Sequence, residues 1–175
     1  MTADGFTYPE VGATRDGRRP EGYRYLRERT RVGAGPEALR AAVDAVLDLR
    51  MHRALPVRVT ASGPRAEPGV DVEVTVGVGP LRLRAPCRVV WTRRDERGGG
   101  FGYGTLAGHA MSGEESFAVD IDDDGAVWLT VTSFSRPATA AGRLAGPFGP
   151  LFQRLYARGC GIVLRRLVRR GPARP

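Results

Sequence analysis

Hydrophobic positions along this chain recur with two different periods, and the switches between them mark out its elements. "VDVEVTVGV" sets Val70, Val72, Val74, Val76 and Val78 against Asp71, Glu73, Thr75 and Gly77, the alternation of a strand with one wet face. "LRLRAPCRVVW" repeats it, with Leu81, Leu83, Ala85, Cys87, Val89 and Trp91 on one parity and Arg82, Arg84 and Arg88 on the other; Gly79 and Pro80 supply the turn between the two. "YRYLRERTRVG" reads as a first strand ending at Gly33 and Gly35, and further strands are predicted at 56–61, 100–106, 115–121 and 126–135, the last two joined by the acidic turn "DDDG". Helical spacing appears twice. Pro36 opens a helix through about Arg53, with Leu39, Ala42, Val43, Val46, Leu47 and Arg50 stepping by three and four. From about Ala140 onward Leu144, Phe148, Leu151, Phe152, Leu155, Ile162, Val163 and Leu167 form a broad apolar stripe, with Arg154, Arg158, Arg165 and Arg169 off it, and Gly159 and Gly161 mark a predicted bend.

The order is therefore strand, helical segment, six strands and a long helix, without the β/α alternation of a parallel sheet. The expected class is α+β. A curved antiparallel sheet of about seven strands wraps around a long C-terminal α-helix in the helix-grip arrangement, which leaves space for an apolar ligand between sheet and helix. Residues 1–22, rich in glycine, proline and charge, read as an irregular arm that packs on the domain through Phe6, Tyr8 and Val11; residues 23–170 form one helix-grip domain, and 171–175 a frayed tail.

Composition changes this picture little. At 175 residues, with 42% hydrophobic and 26% charged residues, the chain is long and apolar enough for one self-sufficient core. The net charge of +8 invites a polyanion-binding reading, but every basic residue is arginine, which also serves packing and bidentate pairing, and no basic-plus-aromatic module accompanies the charge. An arginine-rich interaction or nucleic-acid module is accordingly the third reading. Cys87 and Cys160 belong to no Cys-x-x-Cys pair and read as buried free thiols. The first residues have no apolar core behind positive charge and no stretch matches a membrane span, so a reducing cytoplasm is expected.

The segment "GFGYGTLAGHAMSGEESF", residues 100–117, concentrates the candidate chemistry. Strand parity puts Phe101, Tyr103 and Thr105 on one face and Gly100, Gly102 and Gly104 on the other, where something approaches the backbone closely or the strand bends. Phe117, Val119 and Ile121 share a face that, extended backwards, takes in Glu115 and excludes Glu114. Glu115 is thus the inward carboxylate, near Tyr103, Thr105, Trp91 and His109. Desolvation there would raise its pKa, and a neighbouring imidazole could exchange a proton with it. The opposing reading is structural, with Glu115 satisfied by loop amides and a tyrosine hydroxyl. His52, at the end of the first helix, reads as a cap or surface residue. His52, His109 and Cys87 lie at no short ligand spacing, so no metal and no cofactor is predicted. "DIDDDG" lacks the twelfth-position glutamate of a calcium loop and reads as a solvated hairpin turn.

Short motifs along the chain carry a family resemblance: "FTYPEVGAT" and "GY" near the start, "GAG" before the first helix, "MHR" at its end, "PCRVVW", "GFGYGTLAGH" with "SGEESF", then "FSRPA" and "LAGP". In this order and spacing they resemble a bacterial and plant family catalogued as domain of unknown function nineteen-ninety, within the START-like and birch-pollen-allergen-like superfamily. The resemblance implies a helix-grip fold and hydrophobic-ligand binding, and supplies no catalytic residue. The chain departs from the family pattern at Leu49, where a tryptophan is usual, and at Ala107 and Ala110, where prolines flank the histidine; this loosens the loop.

The leading expectation is a non-enzymatic protein that binds a small hydrophobic or amphipathic molecule, or a lipid, through Trp91, Tyr103, Thr105, His109, Glu115 and Phe117. An enzyme of hydrolase or cyclase type, with Glu115 and His109 as acid and base, is the alternative. The arginine-lined terminal helix, "VLRRLVRR", also suits peripheral contact with an anionic membrane, although the same apolar stripe is what a concave sheet needs as its core.

Overall fold

In the computed structural model, which describes residues 5–77, 82–139 and 148–171, the alternating segments pair into one curved antiparallel sheet. Its strands are β1 (Arg24–Ala34), β2 (Arg58–Ala61), β3 (Asp71–Val76), β4 (Leu83–Asp95), β5 (Gly98–Thr105), β6 (Met111–Ile121) and β7 (Ala126–Pro137), in the spatial order β1-β7-β6-β5-β4-β3-β2. Consecutive strands from β2 to β7 are neighbours, and β1 joins at the far edge beside β7, so every pairing is antiparallel. Helices α1 (Gly35–Leu47) and α2 (Arg50–Arg53) connect the two edges, and α3 (Phe148–Arg170) closes the chain. Register shifts at Arg31/Gly33 in β1 and at Val89/Trp91 in β4 insert an extra residue on one strand, the kind of irregularity that bends a sheet. The architecture is the α+β helix grip that the element order implied.

The first helix departs from the sequence reading. It is interrupted after Leu47: Leu49 takes a left-handed conformation, φ 57°, and a short second helix follows. That break turns Met51 and His52 inward beneath the sheet, where both are fully buried. The apolar side of α1, Leu39, Ala42, Val43, Val46 and Leu47, packs against β5, β6 and α3 to form the main core.

The terminal helix also differs from expectation. Its buried residues are Ala157, Cys160, Gly161 and Leu164, with Tyr156, Val163, Leu167 and Val168 partly covered, whereas Leu151, Phe152, Leu155 and Ile162 are exposed. The cause is a close approach at Gly161: a Cβ there would lie 2.5 Å from Thr30 Oγ1 of β1, so the helix sits on its small residues and the broad stripe rotates away from the sheet. Gly161 therefore marks a contact and no bend; α3 runs without interruption from Phe148 to Arg170. Arg158 pairs with Glu28 at 2.9 Å and Gln153 Nε2 donates to Ser135 Oγ at 3.0 Å, tying α3 to β1 and β7. The predicted turn at Gly79 and Pro80, the start of the last helix near Ala140 and the tail beyond Gly171 lie outside the described residues.

The outer face of the sheet carries the segment before β1. Phe6, Tyr8, Ala13, Tyr23 and Phe134 form a second apolar cluster there. Glu114, buried on this face, accepts from the Tyr8 hydroxyl at 2.6 Å, from Gly12 N at 2.8 Å and from Thr14 N at 2.9 Å, and also from the Thr14 hydroxyl. The bare faces of Gly102 and Gly104 admit the Trp91 indole and the Tyr8 ring, neither of which would tolerate a Cβ. The close approach expected from the glycine parity is thus made by the chain itself.

Candidate functional site

Direct pairing across β7, β6, β5 and β4 sets Ser133, Glu115, Tyr103 and Val89 side by side, and residues so paired share one face of a sheet. This row crosses the inner face. Between it and the first turns of α3 lies a cavity of about 350 Å³. Val74, Leu83, Phe152 and Tyr156 give it apolar walls, while Tyr103, Glu115 and His109 bring polar groups to it.

Tyr103 donates its hydroxyl to Glu115 Oε2 at 2.9 Å. Burial pushes the Glu115 carboxyl up to about 7, against the opposing effect of that hydrogen bond, so the group stands near half-ionisation at neutral pH. Burial, and then the neighbouring Glu115, hold the Tyr103 hydroxyl well above its ordinary range. Tyr156, reaching in from α3, is raised for the same leading reason; its buried hydroxyl lies beside that of Tyr103 but completes no well-aligned hydrogen bond among the described residues. His109 ends the turn after β5, with its amide donating to Leu106 O at 3.2 Å. Its Nδ1 accepts from Met111 N at 2.9 Å, which leaves the proton of the neutral ring on Nε2, and burial lowers its pKa to about 4. No hydrogen bond joins His109 to Glu115.

Tyr103, Thr105, His109 and Glu115 all line the cavity. Thr105 contributes little free polarity, because its hydroxyl is shared with Thr7 Oγ1, at 2.6 Å, and with both backbone groups of Gly113. Two predicted residues are elsewhere. The extra residue at Val90 reverses the parity of β4, so Trp91 pairs with Gly102 and points to the outer face, where its Nε1 donates to Thr14 Oγ1 at 3.0 Å. Phe117 does face inward but lies deeper, fully buried against Phe101 and His52.

His52 is no cap. Its ring lies 4.5 Å from Phe117 and 6.2 Å from Tyr103, centroid to centroid, and neither nitrogen has a partner among the described residues; burial lowers its pKa to about 3. Tyr156 and Ser133 were missed by sequence reasoning. Tyr156 is the one tyrosine in α3, a signal that was available. Ser133 shares parity with Val131 and Leu129 in β7, and so was also legible once the pairing to β6 was known. Cys87 and Cys160 are buried free thiols, as expected.

The family described as domain of unknown function (DUF1990) matches residues 7–162. The chain belongs to this family. It is 36% identical over 173 residues to a UPF0548 protein of Deinococcus radiodurans, covering 93% of this chain and 86% of that one. Among solved structures, Ara h 8.0201 superposes with a TM-score of 0.57 at 16% identity, covering 84% of this chain and 98% of its own. Norcoclaurine synthase from Thalictrum flavum, solved with dopamine and hydroxybenzaldehyde, gives 0.59 at 11% identity, covering 87% and 90%. At such identities the likeness is one of fold, and it agrees with the helix grip built above. Within this DUF1990 chain the cavity lies where sheet and α3 meet. Among the described residues no helix is long and apolar enough to cross a membrane, and no three metal-ligating side chains converge.

Proposed function

We propose that this protein binds a small hydrophobic or amphipathic molecule between the sheet and α3. The observation that carries the reading is the cavity of about 350 Å³, apolar on most of its wall yet holding an ionisable carboxyl and a tyrosine hydroxyl without a well-aligned partner among the described residues. A core built only for stability gains by filling such a space, since each buried methylene contributes about 0.8 kcal/mol and an unsatisfied polar group costs roughly 1–3 kcal/mol. A ligand would remove both penalties. The same fold carries dopamine and hydroxybenzaldehyde in the Thalictrum enzyme, which supports small molecules as the occupant class.

Arginine pairing weakens the polyanion reading: Arg65, Arg88, Arg93, Arg94 and Arg97 are each bound to an aspartate. Buried free thiols fit the reducing compartment we assign to it. Native mass spectrometry of protein purified from its own host, with Nile red titration of the emptied protein, tests the proposal. A co-purifying small molecule and saturable dye binding, lost in Tyr103→Trp and kept in Trp91→Phe on the opposite face, are expected. Absence of both the molecule and saturable dye binding would overturn it.

A further inference from the structure

Among the described residues, the charge inside the cavity is one-sided. Glu115 brings a carboxyl, the described lining contains no arginine, and the one imidazole there, His109, is held neutral by burial, its Nδ1 accepting from Met111 N and a single N–H left on Nε2. Among the described residues Glu115 accepts a hydrogen bond from Tyr103 alone, which leaves most of its lone pairs without a donor there. Tyr156 adds a buried hydroxyl that, beside Tyr103, completes no well-aligned hydrogen bond among the described residues and is able to accept as well as donate. Both groups stand where β6 and α3 face each other across the cavity, with Val74, Leu83 and Phe152 also on its wall. An anionic head placed here would meet a carboxylate that no arginine of the described lining offsets. A hydroxyl offers one donor to two acceptors. A protonated nitrogen offers several donors and the complementary charge, and charge-assisted hydrogen bonds are about twice as strong as neutral ones.

Resting on the ligand-binding reading above, we infer that the occupant is an amphipathic amine, whose protonated nitrogen is held by Glu115 and the Tyr156 hydroxyl while its apolar body lies along Val74, Leu83 and Phe152. The site thereby discriminates against fatty acids and other anionic amphiphiles.

The test is displacement of Nile red by octylamine, octanol and octanoate, which share one chain and differ in the head, at mildly alkaline pH where the amine stays protonated. Octylamine is expected to bind at least about tenfold more tightly than octanol, and octanoate more weakly than either. Glu115→Gln, checked for folding by circular dichroism, should bring the amine-to-alcohol ratio close to one. Octylamine no tighter than octanol, octanoate the tightest of the three, or an amine preference that survives in Glu115→Gln would each overturn the inference while leaving cavity binding intact. Should Glu115→Gln not fold, the wild-type series decides alone. If neither dye nor any of the three compounds binds, the ligand-binding reading falls and this inference with it.

Discussion

Glu114 and Glu115, neighbours in β6, turn their carboxyls to opposite faces of the sheet, and each takes a hydrogen bond from a tyrosine, Tyr8 outside at 2.6 Å and Tyr103 inside at 2.9 Å. Among the described residues the outer carboxylate has four donors and the inner one a single donor. Saturation marks Glu114 as an anchor for the segment before β1. Incomplete pairing leaves Glu115 with acceptors to spare on the cavity side, as the proposed ligand-binding role requires.

Glu114→Ala is expected to destabilise the fold by about 3 kcal/mol or more, since it strands four donors, and to expose residues 9–20 to protease. Urea denaturation and limited proteolysis measure the two effects. An unchanged midpoint with an uncut arm would refute the anchoring role.

Stability should fall with rising pH through the titration of Glu115. Its carboxyl titrates near 4.5 when unfolded and near 7 when folded, so between those values the folded state holds the extra proton. The stabilisation is complete below the unfolded value and is lost as pH climbs through the folded one, up to about 3 kcal/mol. Glu115→Gln carries no such titration. Its stability relative to wild type is expected to rise from about pH 5 to about pH 8, and a difference that stays flat over that range would show that burial does not raise this group.

His52 predicts the opposite acid behaviour. A ring titrating near 6.5 unfolded and near 3 folded must stay neutral to remain buried, so stability falls as pH drops below 6.5. The loss reaches about 2 kcal/mol by about pH 5. His52→Leu removes two partnerless nitrogens from an apolar setting, and is expected to be neutral or stabilising by about 1 kcal/mol at pH 7 and to lose this acid sensitivity. Thermal melts at several pH values decide. Equal acid sensitivity in wild type and variant would place the titration elsewhere.

The two glycines of α3 should respond in opposite senses. Gly161→Ala drives a Cβ onto Thr30 and is expected to cost about 2 kcal/mol in spite of better helix propensity. Gly159→Ala meets only Leu55 Cδ2 at 3.4 Å and should gain roughly 0.5–1 kcal/mol. Chemical denaturation of the pair is the measurement, and a shared sign would mean that α3 does not rest on β1 through Gly161.

Strand parity, the change of hydrophobic period and the order of elements were properties of the chain itself, because side chains alternate along any strand and recur by turns along any helix. They carried the antiparallel sheet, the terminal helix, and the opposite facing of Glu114 and Glu115. Tertiary contact decided the rest. One inserted residue at Val90 sent Trp91 outward, a left-handed Leu49 carried His52 into the core, and the small side of α3, fitted to Thr30, brought Tyr156 to the cavity and left Leu151 and Leu155 in solvent. Bulges, breaks and helix rotations follow from how separate elements fit against one another, and no local period in a sequence encodes that fit.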